Sequence, residues 1–103
     1  SIVAQLGIPG TSAYAASKSA LWGLTKSLAV ENASLGITIN NLNLGYFDIG
    51  MGLELPEAYR TSIKTKIPTE EFGNPENIYN AIQFLRDSDY VNGTSIDINA
   101  GLF

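Results

Sequence analysis

Cysteine and histidine are both absent from the 103-residue sequence. Without cysteine there is no disulfide, no thiolate nucleophile and no cysteine-held zinc or iron–sulfur centre. Without histidine there is no Ser-His-Asp or Cys-His catalysis and no His-ligated metal. Proton transfer near neutral pH must then fall to Tyr, Lys or a carboxylate. Charge is also sparse, at 16% of residues, and leans acidic to a net −4. A pI near 4.5 argues against nucleic acid or an anionic membrane as the main partner, since both attract basic patches. No apolar run reaches the roughly 18 residues that a membrane span requires. The amino terminus lacks the basic region of a signal peptide, so a cytoplasmic location is the default expectation. There is no initiator Met, and Ser1-Ile2-Val3-Ala4 reads as the end of a buried strand. A C-terminal fragment of a larger protein is therefore expected. The N-x-S/T triplets at Asn32 and Asn92 read as chance without a secretory signal.

What is present describes a globular piece. Hydrophobic residues make up 45% of the chain, and its length suits one small domain with a modest core. No repeat, low-complexity tract or linker interrupts it. Gly7, Pro9 and Gly10 mark a loop after the first apolar residues. Thr11 and Ser12 are N-cap candidates for a helix from Ala13 to Glu31 or Ser34, with Gly36 as its stop. Between Ala13 and Val30 the only charged side chains are Lys18 and Lys26. A helix without a broad polar face is covered on more than one side, by a sheet and by another helix. The second helix is expected from another subunit.

Ile37 to Leu44 predicts a strand with imperfect alternation, ended by Gly45. Tyr46 to Gly52 predicts a loop, Pro56 to Lys64 a short helix, and Asn74-Pro75-Glu76 the start of another helix. Asn92-Gly93 is a turn, and Thr94 to Asn99 alternates as a final strand. Strand, helix, strand, helix, helix, strand is the pattern of an α/β protein with a parallel sheet. Three strands alone make a narrow sheet with open edges.

Tyr14 and Lys18 lie four residues apart on the first helix and share a face. An ammonium beside a phenol stabilises the phenolate. Such a tyrosine can give or take a proton near neutral pH. The alternative is a Tyr that merely packs, which this spacing also allows. Ser1, thirteen residues before Tyr14, adds a hydroxyl that the intervening loop can return to the same point.

Ser1 followed by Tyr14-Ala15-Ala16-Ser17-Lys18 resembles the active site of the short-chain dehydrogenase/reductases. The resemblance runs along the chain. Gly36-Ile37-Thr38-Ile39-Asn40 resembles the strand after the catalytic helix, and Leu44-Gly45-Tyr46-Phe47 the loop that meets the cofactor. Phe72-Gly73-Asn74-Pro75-Glu76-Asn77-Ile78 resembles the start of a late helix. Tyr90 to Gly93 and Ile96 to Gly101 resemble the terminal turn and strand. The look is nearest the 3-oxoacyl-[acyl-carrier-protein] reductase-like branch.

The resemblance implies a doubly wound, Rossmann-type α/β fold, of which residues 1–103 form the C-terminal catalytic part. It implies hydride transfer between NAD or NADP and a small-molecule carbonyl or secondary alcohol. Tyr14 would be the general acid or base. Lys18 would lower the Tyr pKa and bind the nicotinamide ribose. Ser1 would hold the substrate oxygen. Gly45 and Phe47 would join Tyr14 and Lys18 in contacting the cofactor. It further implies a homodimer or homotetramer formed through helix 13–31.

The sequence also departs from the pattern. No G-x-G-x-x-G phosphate loop occurs, and the residue that selects NAD from NADP is not in view. Leu44 replaces a usual Pro, Ile49 a usual Thr, and Ala100 a common Gly, the last with little expected effect. A non-catalytic fragment acting only in association is the rival reading. A cofactor-binding relative that regulates rather than catalyses is a third. Trp22 and Leu24 read as packing or dimer contacts. Asn40, Asn41 and Asn43 read as satisfying backbone groups at a strand end. Leu53, Leu55, Tyr59 and Ile63, in a segment resembling a substrate lid, either line an apolar pocket or dock the lid. The Glu54, Glu57 and Glu70, Glu71 pairs read as solvated surface.

Overall fold

A computed structural model describes residues 1–103. Helix α1 spans Ser12–Asn32, strand β1 Asn41–Leu44, and helices α2, α3 and α4 span Met51–Glu54, Glu57–Lys64 and Glu76–Arg86. Strand β2, Ser95–Ile98, closes the order. The strands pair in parallel, with Asn41 opposite Ser95 and Asn43 opposite Asp97. The α/β class with a parallel sheet is as expected.

Three local expectations are corrected. Ile2–Ala4 is a 3-10 turn, not a strand end. Its backbone closes on itself, with the Ala4 N–H donating to the Ser1 carbonyl and that of Leu6 to Ile2. The sheet therefore has two strands rather than three. The strand expected from Ile37 begins only at Asn41. Before that, the Ile39 N–H donates to the Asn92 side chain and the Ile39 carbonyl accepts from Gly93, so this stretch ties to a turn. Finally, the loop expected through Gly52 gives way to α2 at Met51.

Thr11 stands at the N-cap of α1, but its hydroxyl donates to the Ile8 carbonyl and tightens the loop instead. After Asn32 a 3-10 turn runs to Leu35, and Gly36 ends it in the left-handed conformation, φ 73°. At α4 the Asn74 carboxamide oxygen accepts from the Glu76 N–H at 2.9 Å, capping a helix entered through Pro75.

Alternation along β1 sends Leu42 and Leu44 to one face and Asn41 and Asn43 to the other. The asparagine face meets α1. Asn41 donates to the Leu21 carbonyl and Asn43 accepts from the Trp22 indole. Packing is thin elsewhere. Eight of 103 residues are buried, among them Ile2, Ala29, Phe47, Ile63 and Ile67. The radius of gyration is 15.3 Å, against about 13 Å for a compact domain of this length. Leu21, Leu24 and Val30 of α1 stand exposed.

Candidate active site

The site forms beyond the carboxyl end of β1, where ligands of open parallel sheets bind. Leu44 leads into Gly45, whose N–H donates to the Ile98 carbonyl at 3.0 Å and extends the ladder. A Cβ on Gly45 would lie 2.9 Å from both Cα and Cβ of Asn99, so only glycine fits this approach. The chain then rises through Tyr46 and Phe47. Phe47 bridges to Gly73, and its ring fills the space a Gly73 side chain would need. The N–H of Asp48 donates to the Gly73 carbonyl, while those of Tyr46 and Phe47 meet no protein acceptor.

A cavity of about 430 Å³ opens between this loop, the start of the chain and α2. Ser1 and Tyr14 both line it, as do Leu44, Gly45 and Phe47. Most of the rest is apolar, from Ile49, Met51, Leu55, Tyr59 and Ile78. Four of the five sequence-selected residues thus share one cavity. Lys18 is not in its wall. Its ammonium lies 5.3 Å from the centroid of the Tyr14 ring, one helical turn away. The Ser17 hydroxyl donates to the Tyr14 carbonyl and occupies itself locally.

The segment from Met51 to Ile67 divides its apolar residues. Leu55 and Tyr59 face the cavity, whereas Ile63 is 2% exposed and docks α3. Leu53 does neither and is exposed. Arg60 pins this segment. It ion-pairs with Asp48 at 2.6 Å, donates to the Gly52 carbonyl, and stacks 4.5 Å from the Phe72 ring. Burial first, then neighbouring Tyr59, push the Tyr46 phenol above its ordinary value. Arg60 escaped the sequence reading, and Ile78 entered it only at the start of the late helix, because neither stands in a spacing that signals a site. No group of acidic residues is placed to hold a metal. No helix is long and apolar enough to cross a membrane.

The full length, residues 1–103, matches the family described as Enoyl-(Acyl carrier protein) reductase. The sequence is 41% identical to the 3-oxoacyl-[acyl-carrier-protein] reductase FabG of Rickettsia bellii, over 99% of this chain and 43% of that protein. Among solved structures, a Serratia marcescens short-chain dehydrogenase/reductase variant superposes with a TM-score of 0.83 at 30% identity. That match covers 97% of this chain and 41% of the other. The chain belongs to the short-chain dehydrogenase/reductases. Its two strands and their helices are accordingly a portion of that family's Rossmann-type fold. An acetoacetyl-CoA reductase of Allochromatium vinosum is 37% identical over the whole chain and 43% of its own length. This short-chain dehydrogenase/reductase sequence thus spans about 43% of the curated relatives it matches.

Proposed function

We propose that these residues form the C-terminal catalytic part of a single NAD(P)-binding domain in an enzyme that reduces a carbonyl or oxidises a secondary alcohol. The observation that carries this reading is the shared cavity. The Ser1 and Tyr14 side chains line one apolar chamber, with the Lys18 ammonium 5.3 Å from the phenol ring. A substrate oxygen there meets two hydroxyl donors in a low-polarity surround. Tyr14 passes its proton to that oxygen as the carbonyl becomes an alcohol, and takes it back in the reverse direction. Lys18 supplies the positive charge that stabilises the phenolate left behind. The Ser1 hydroxyl donates a hydrogen bond to the same oxygen and orients it.

The residues present fit a nicotinamide cofactor. The free N–H groups of Tyr46 and Phe47 can meet its carboxamide, and Gly45 keeps the loop narrow at the strand end. Tyr14 lines the same space, Lys18 stands one helical turn beyond it, and the two would bind the ribose. NAD(H) or NADP(H), when bound, supplies or accepts the hydride. The Leu55, Tyr59 and Met51 walls favour a lipophilic or acyl carbonyl substrate. The relatives' names, 3-oxoacyl and acetoacetyl reductases, support the same class. The family description names an enoyl substrate, a different bond. The placing of Ser1 and Tyr14 in the wall of one cavity suits an oxygen and favours the carbonyl. We place the enzyme in the cytoplasm, as a homodimer or homotetramer through α1.

The deciding variant is Tyr14→Phe in the full-length protein. Carbonyl reduction should fall by ~10²- to 10⁴-fold, the usual worth of a positioned acid. Turnover near wild type would remove Tyr14 from the mechanism. A non-catalytic role in association is the second reading, and the exposed Leu21, Leu24 and Val30 of α1 are what favours it. Titration with NADH and NADPH, followed by fluorescence, separates the two. Saturable micromolar binding supports the enzyme.

A further inference from the structure

Tyr14, Lys18 and Trp22 fall at successive turns on one face of α1. The third of them is tied to the sheet. The Trp22 indole N–H donates to Asn43 Oδ1 at 3.0 Å, and Asn43 Nδ2 donates to Asp97 Oδ1 at 2.9 Å. Gln5 Nε2 donates to the same carboxylate oxygen at 3.2 Å. The four residues come from α1, β1, β2 and the loop between Ser1 and Tyr14. Asn43 is the hub. It is 5% exposed, and its carboxamide is used at both ends. It stands two residues before Gly45, so one strand carries both the hub and the start of the site loop.

We propose that Trp22, Asn43 and Asp97 act as positioning residues, a hydrogen-bonded relay that registers the Tyr14–Lys18 face of α1 against the sheet. The inference rests on the reductase reading above. The polarity of the relay is directional. An indole N–H can only donate, so Asn43 must offer it the oxygen and turn its NH₂ toward Asp97. Asp97, acceptor only when ionised, fits that NH₂ and the Gln5 amide together. Two other contacts hold α1 in place, one from β1 and one from the turn before β2, but do not set its register near the site. Asn41 donates to the Leu21 carbonyl and Asn92 to that of Ala29, both to helix backbone that any side chain would provide. The Trp22–Asn43 bond is the side-chain contact one turn from Lys18.

A polarity swap tests this in the full-length protein. Asn43→Asp sets a second carboxylate against Asp97, and kcat should fall at least tenfold with substrate KM changed less than threefold. The double variant Asn43→Asp/Asp97→Asn reverses the relay. The carboxylate at position 43 accepts from Trp22 and from the new amide, whose oxygen still accepts from Gln5. Its kcat should return to within threefold of wild type. Should Asn43→Asp not fold, Trp22→Phe removes the indole N–H together with the five-membered ring and should lower kcat three- to tenfold at unchanged KM. A double variant no better than Asn43→Asp overturns the relay, as does kcat within twofold of wild type for Asn43→Asp or Trp22→Phe. Tyr14→Phe measured alongside separates the causes. If it stays active, the reductase reading falls and takes the relay's role with it. If it is inactive and the swap fails to rescue, the relay alone is wrong.

Discussion

Ala100 occupies the left-handed region, φ 56°, next to Gly101 at φ 80°. A Cβ in that conformation crowds the following carbonyl and costs roughly 1–2 kcal/mol. The glycine that the sequence pattern favours here would relieve it, so the Ala substitution is less neutral than expected. Ala100→Gly should stabilise the protein by about 1 kcal/mol, raising the urea midpoint at constant slope. Tyr46 offers a pH test. Its folded-state pKa lies above the ordinary 10.0 because burial and Tyr59 disfavour the phenolate. The stabilisation is therefore complete below about pH 10 and is lost as pH rises through the higher folded value. As pH rises above 10, wild type should lose stability that Tyr46→Phe retains. Denaturant melts across that range read the difference.

Among the elements, α3 does two tasks with opposite sides. Its inward Ile63 is 2% exposed, while Tyr59 faces the cavity and Arg60 reaches back to Asp48 and Phe72. A short helix has too few internal hydrogen bonds to persist alone, so these contacts hold it. Ile63→Ala should cost about 2–4 kcal/mol. It should also raise substrate KM, because Tyr59 and Leu55 lose their support. Thermal melts and initial-rate kinetics check both effects. A KM unchanged by a destabilised α3 would show that this segment shapes no part of the substrate site. β1 shows a different economy. Its asparagine face against α1 replaces apolar packing with directional bonds, each of which fixes register more tightly than a leucine contact does.

At the largest scale, residues 1–103 span about 43% of the relatives they match and leave α1 open. Few residues are buried, and Leu21 and Leu24 of α1 are 44% and 53% exposed on a helix with almost no charge. Apolar surface of that kind is ordinarily covered by other protein. Association through α1 predicts that Leu24→Glu shifts the full-length protein toward monomer in sedimentation at micromolar concentration. A wild type that already sediments as a monomer would refute it.

Helices α1, α3 and α4 were legible because their causes are local. Thr11, Gly36, Asn74 and Pro75 act on neighbouring backbone, and the Tyr14–Lys18 face follows from helical geometry alone. The first residues were misread, since an apolar β-branched run looks the same whether it pairs in a ladder or closes as a 3-10 turn. Asn43 was legible as polar and strand-borne, yet its side-chain partners Trp22 and Asp97 lie 21 and 54 residues away. By itself the sequence determined where α1, α3 and α4 coil, that two strands extend at the core of the sheet, and which two side chains share a turn of helix. Only the tertiary structure decided that Ser1 and Tyr14 line one cavity, and that an asparagine on β1 joins α1 to β2. Capping and periodicity act through adjacent residues. A shared cavity or a side-chain relay depends on how the crossover returns the chain, which no local pattern encodes.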